Sequence, residues 1–146
     1  MLDEHLATVG SMMVNPFNKY FYNRIETWNE KIITVDSVIG EWRKFQSSWA
    51  YLSPIFSSDD ISRHMPQETM DFKQATKFHK SKVSHVQDNP NAMDISTHPE
   101  FLVDLKKYNA DLENIQNELN TYLETKRKRF ARFYFLADDE LLSIVS

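Results

Sequence analysis

Cysteine is absent from the 146 residues, so no disulfide framework, thiolate nucleophile or thiolate metal site can form. Two glycines and five prolines punctuate the chain. So few breakers leave room for long uninterrupted helices and little room for tight β-turns. The same scarcity argues against a phosphate-binding loop, which needs glycines to let backbone N–H groups approach the phosphates. Gly10 and Gly40 have no such neighbours. A strong charge of one sign is also lacking: the formal net charge is -4, which gives no push toward nucleic acid. The opening "MLDEHLATVGSMMV" has no basic stretch followed by an apolar run, so it is a poor signal peptide. No apolar segment approaches the length that spans a bilayer. These absences predict one soluble domain, compatible with a reducing cytosol, with neither nucleic acid nor membrane as partner. A domain of this length buries roughly two thirds of its unfolded surface.

What is present is helical periodicity. Asn15 can cap a helix and Pro16 suits its first turn. Apolar residues then recur at Phe17, Phe21, Ile25, Trp28, Ile32, Val35, Ile39, Trp42, Phe45, Trp49 and Leu52. Steps of three and four mark one face of a single helix over about residues 15–52. Gly40 is its weak point, a close contact or slight bend. Pro54 is expected to end it, because the residue before a proline is biased out of the helical region. Ser57 or Ser58 then caps a short helix over about 58–65, with Asp59 and Asp60 in its first turn. Pro66 opens a helix to about residue 87, whose apolar face (Met70, Phe78, Val83, Val86) is thin. Residues 88–98 read as a loop. From about Pro99 to Arg129, a stripe of Phe101, Leu105, Tyr108, Leu112, Ile115, Leu119 and Tyr122 steps by four and three in heptad fashion. An aromatic crossing fills residues 130–136, and 138–146 begin a further helix. The expected fold class is all-α: an elongated bundle of long helices with short connecting helices and loops, without internal repeats.

Candidate chemistry is sparse. Zinc would want two or three histidines on one face, typically four apart. His79 and His85 lie six apart, and His5, His64 and His98 stand singly, which predicts surface or capping histidines. Asp59–Asp60 and Asp138–Asp139–Glu140 could be posed as catalytic pairs, but adjacent residues point apart and helix N-termini favour acids. "KRKRFAR" (residues 126–132) could meet an acidic partner or nucleic acid, but a helix C-terminus attracts cations without any partner. Phe130, Phe133, Tyr134 and Phe135 are expected to be buried between elements. By residues alone, "WAYLSPIF" is a joint between helices: Trp42 and Trp49 lie two turns apart on one face, and Leu52, Ile55 and Phe56 carry the apolar surface around Pro54.

Two ordered blocks carry a resemblance. "WRKFQSSWAYLSPIFSSDDISRHMPQETMDF" is similar to a segment of the linker of dynein heavy chains, matching at Trp42, Gln46, Trp49, Tyr51, Leu52, Pro54, Ile55, Phe56, Ser58, Asp60, Ile61, Pro66, Glu68 and Phe72. "NADLENIQNELNTYLETKRKRFARFYFLADDELLSIVS" resembles a second block of the family. Departures are Phe45 for a smaller aliphatic, Ala131 for proline, Ala137 and Asp138 for Ser-Asn, and Val145 for leucine. They touch packing and a cap, and could alter how the aromatic crossing is held. The resemblance covers about residues 33–146, the first 30 matching only in helical character. The "PIFSSDDI" form looks more like axonemal heavy chains than cytoplasmic ones.

The resemblance implies a mechanical part. The family's linker is a helical arm, N-terminal to a ring of AAA+ modules, whose bending and straightening drive movement on microtubules. ATP and Mg belong to the ring, so the expectation here is no cofactor, metal or catalytic residue. Structural or hinge candidates are Trp42, Gln46, Trp49, Tyr51, Leu52, Pro54, Ile55, Phe56, Phe130, Phe133 and Phe135. Partners would be the rest of the linker and the ring, with microtubules reached only through the parent motor, in the cytoskeleton of a cilium or flagellum axoneme. The alternative is a spectrin-like helical scaffold or binding module, which should repeat at near-constant spacing. An enzyme is the weaker rival, since no constellation for one survives.

Overall fold

The computed structural model describes residues 2–96 and 98–145. Among them the chain is all-α, with no strand: α1 Leu2–Met13, α2 Tyr22–Phe56, α3 Asp59–His64, α4 Pro66–Asp88, α5 Ala92–Ser96, α6 Pro99–Arg129 and α7 Asp138–Val145. Short 3-10 turns stand at Asn18–Tyr20 and Ala131–Phe135.

The helix expected from Asn15 begins only at Tyr22, after a turn that separates it from α1. Asn15 Oδ1 accepts the Phe17 N–H at 2.9 Å, an Asx-turn that competes with helix initiation. Asn18 Nδ2 donates to the carbonyls of Met12 (3.1 Å) and Met13 (2.6 Å), two acceptors that the end of α1 leaves open. The chain thus folds back, and Val9 and Met12 of α1 line a cleft of about 280 Å³ with Phe21, Arg24, Ile25 and Trp28. Phe17 is 90% exposed in the turn.

Pro54 does not end α2. It lies inside the helix, which runs two residues further to Phe56. Proline removes one donor, from the carbonyl four residues back, and disfavours helical angles at Ser53, yet the helix continues through both. Ser57 Oγ donates back to the Ser53 carbonyl at 2.7 Å, and the Ser58 N–H to Ile55 at 3.2 Å. At 35 residues α2 is about 52 Å long. Gly40 is exposed, and a Cβ built there would meet no described atom within 4 Å, so the close contact expected of it does not exist.

α2, α4 and α6 form a three-helix bundle. Asn109 of α6 meets Glu41 of α2, and Glu113 meets Lys44, so these two helices run in the same direction. Phe45 and Phe56 of α2 meet His79 and Phe72 of α4, so α4 runs oppositely. The core contains Val38, Phe45, Leu52 and Phe56 of α2, Phe72 and Ala75 of α4, and Leu105, Leu112, Leu119 and Leu123 of α6. Leu141 and Leu142 of α7 close one end. Of the face expected on α4, Phe78 packs against the core, but Met70 is 58% exposed and Val86 is exposed, while Thr69, Phe72 and Ala75 are buried. Residues 88–98 are not all loop, because Asn91 Oδ1 accepts the Met93 N–H at 3.1 Å and starts α5.

Candidate functional site

The stretch that reads as a joint lies on the α2–α4 seam. Trp42, Phe45 and Trp49 stand at i, i+3 and i+7, one face of a helix. On α4, Phe72, Ala75, Thr76 and His79 share the facing side. The His79 imidazole stacks on Trp49 with ring centres 4.4 Å apart, and on Trp42 at 5.8 Å. Phe45 is fully buried and lies tilted against the same imidazole at 5.7 Å. The Trp49 indole N–H donates to Thr76 Oγ1 at 3.0 Å. Further along, Phe56 stacks on Phe72 at 5.4 Å, beside fully buried Leu52 and half-buried Ile55. Offset-stacked and tilted rings at these separations add directional attraction to apolar burial.

Trp42 also ties the seam to α6 through Phe101, at 5.6 Å. Phe78 stacks on Tyr108 at 4.4 Å, and the Lys82 ammonium lies 5.2 Å from the Phe101 ring centre. All three long helices therefore meet at one aromatic corner.

The structure does not bring every candidate to it. Gln46, Tyr51 and Pro54 lie on the exposed side of α2. Phe130, Phe133 and Phe135 sit beyond the end of α6, in the crossing. Phe133 packs against the core, but Phe130 is 47%, Tyr134 56% and Phe135 90% exposed, contrary to the burial expected of them. The crossing is held instead by Arg127. Its guanidinium donates to Glu124 (3.0 Å), to the Leu136 carbonyl (3.1 Å) and to Asp138 (2.6 Å). These bonds, first to Glu124 and then to Asp138, push its pKa above the ordinary value. Asp138 is thus an ion-pair partner of the basic run, and Glu140 accepts the Ala137 N–H at 3.0 Å.

Sequence reasoning missed four residues. His79 is no surface or capping histidine. The Phe72, Ala75, His79 spacing (i, i+3, i+7) could have placed it on the buried face. Thr76 is an ordinary helix residue until Trp49 is opposite it. Asn109, beside the α6 stripe and 4% exposed, donates to the Glu41 backbone carbonyl at 3.0 Å and to its carboxylate at 2.6 Å. Arg127 was read only as part of a basic run. His98, expected to stand singly, shares a surface cleft of about 340 Å³ with His85, Ser81, Lys82 and Glu100. Among the described residues no group of three His, Asp or Glu could hold a metal. No helix among them is long and apolar enough to cross a membrane.

The family model for dynein heavy chain, N-terminal region 2, matches residues 1–146, further than the two blocks read from the sequence. Dynein axonemal heavy chain 1 of Rattus norvegicus is 38% identical over 146 residues, 100% of this chain and 3% of that protein. Dynein axonemal heavy chain 12 of Mus musculus is 37% identical, over 100% of this chain and 5% of that protein. For dynein axonemal heavy chain 3 of Homo sapiens the identity is 38%, over 100% of this chain and 4% of that protein. The chain thus spans only 3–5% of the length of these relatives.

Proposed function

The chain belongs to the dynein heavy chain family, in its N-terminal region 2, and from that premise we propose that it is a segment of the motor's mechanical linker. In this reading it transmits changes in the ATP-driven ring into movement along microtubules and has no catalytic site of its own. ATP and Mg are bound elsewhere in the motor. The contacts of this segment are intramolecular, with the rest of the linker and the ring, and microtubules are reached through the parent motor. Because the relatives are axonemal heavy chains, the proposed location is the axoneme of a cilium or flagellum.

The observation that carries the reading is the corner at Trp49. A lever needs a stiff element, and α2 supplies 35 helical residues. It also needs a joint that holds one discrete arrangement rather than bending continuously, which tight packing provides. The stack of Trp42, His79 and Trp49, tied by the Trp49–Thr76 bond, has that character. A spectrin-like scaffold loses its support, since the family match covers the whole chain. The test is uncoupling in the complete motor. Loosening the corner should lower movement per ATP hydrolysed, and a proportionate loss of both would reject the lever role.

A further inference from the structure

His79 occupies a place that an uncharged ring could fill. Its imidazole lies among Trp42, Phe45 and Trp49, and Nε2 is buried with no hydrogen-bond partner among the described residues. A neutral imidazole has one donor and one acceptor nitrogen, whereas the imidazolium carries an N–H on both. The charged ring would therefore hold an N–H at Nε2 with no oxygen to receive it.

Two effects compete over that proton. The faces of the indoles attract a cation, and removal from water penalises one. Burial prevails, and it holds the His79 pKa below the ordinary value of 6.5. The charged groups around the corner do not reverse this. On α2, Glu41 accepts from Asn109 and Lys44 pairs with Glu113 of α6. On α4, one turn from His79, the Lys82 ammonium sits over Phe78 and Phe101 and brings positive charge. No carboxylate among the described residues pairs with the imidazole.

We propose that His79 is a proton-sensitive element of the corner: on gaining a proton it loosens the α2–α4 seam, so the joint is stiff at neutral pH and weakened in mild acid. The sign follows from linkage. A histidine with a depressed folded pKa leaves the unfolded chain binding the proton first. Stability is therefore full above the unfolded value and is lost as pH falls through it toward the folded one. The consequence for movement rests on the lever reading, whereas the titration and the stability concern this chain alone.

The experiment follows the imidazole signals of the chain by NMR as pH is lowered. It also compares melting at about pH 7.5 and about pH 5.5 for wild type and His79→Phe, which keeps a ring and removes the proton site. The expected result is a His79 midpoint below 6.5 and a larger acid-induced loss of melting temperature in wild type than in the variant. A midpoint at or above that value, or equal losses in the two proteins, overturns the proposal. The wild-type titration decides alone if the variant does not fold. A third arm measures gliding velocity per ATP hydrolysed by the complete motor at both pH values. If the first two arms succeed and this ratio does not change, the corner senses protons and it is the lever reading that fails.

Discussion

The indole N–H of Trp49 donates to the Thr76 hydroxyl at 3.0 Å, across a seam made otherwise of ring faces. Ring stacking tolerates sliding, whereas a hydrogen bond between two helices fixes their register. Thr76→Val keeps the shape but leaves the half-buried indole N–H unpaired, an expected cost of about 1–3 kcal/mol. Trp49→Phe removes the donor, so adding Thr76→Val to it should cost little more. A double-mutant cycle by urea denaturation should give a coupling of about 1–3 kcal/mol. A coupling near zero would mean that the stacked rings hold the seam unaided.

Gly40 lies exposed in the interior of α2, has a negative φ, and leaves room for a methyl group. Glycine in such a position weakens a helix by about 0.5–1 kcal/mol relative to alanine. Gly40→Ala should therefore raise the melting temperature by roughly 2–4 °C. A drop would show that the segment needs to bend at this point.

Asn109 is buried on the α2–α6 seam, facing the Glu41 carboxylate. Asn109→Asp sets a buried carboxylate against the half-buried Glu41 carboxylate, and its expected cost is about 3 kcal/mol. Adding Glu41→Gln should restore most of the loss. Asn109→Leu should cost less, about 1–3 kcal/mol, because it takes the donor from Glu41 but adds no second carboxylate. Denaturant midpoints of the variants check all three expectations. An Asp variant as stable as wild type would mean that Glu41 swings freely away.

The all-α fold was legible because helical spacing reports burial directly, whereas the corner expected at Pro54 was not, since α2 runs through it to Phe56. Pro99 stands at the first turn of α6 and Lys126–Arg129 in its last, signals that backbone chemistry makes readable. The start of α2 was not legible, since the apolar steps from Phe17 continue through a turn that two asparagine side chains create. Drift misled the face as well. Steps averaging 3.5 rotate by about 20° per heptad against a straight helix. Val38 is accordingly buried, while Ile39 and Trp28 are 41% and 51% exposed. Phe130 and Phe135 show the remaining limit, because hydrophobicity does not say which aromatic faces a given segment covers. His79 was hidden for a different reason: its role depends on rings 30 or more residues away.

In the proposed role this segment transmits force through a packed corner, and nucleotide is handled elsewhere in the motor. The most direct measurement of that role is made on the complete motor carrying Trp49→Ala, with ATPase rate and microtubule gliding velocity read on one folded preparation. Truncating a largely buried tryptophan costs about 3 kcal/mol or more, through lost burial and the cavity left behind. The seam would then yield where it now holds. If the corner carries the stroke, gliding velocity falls by a clearly larger factor than ATPase rate. Equal loss of both, or gliding that does not change, would contradict that role.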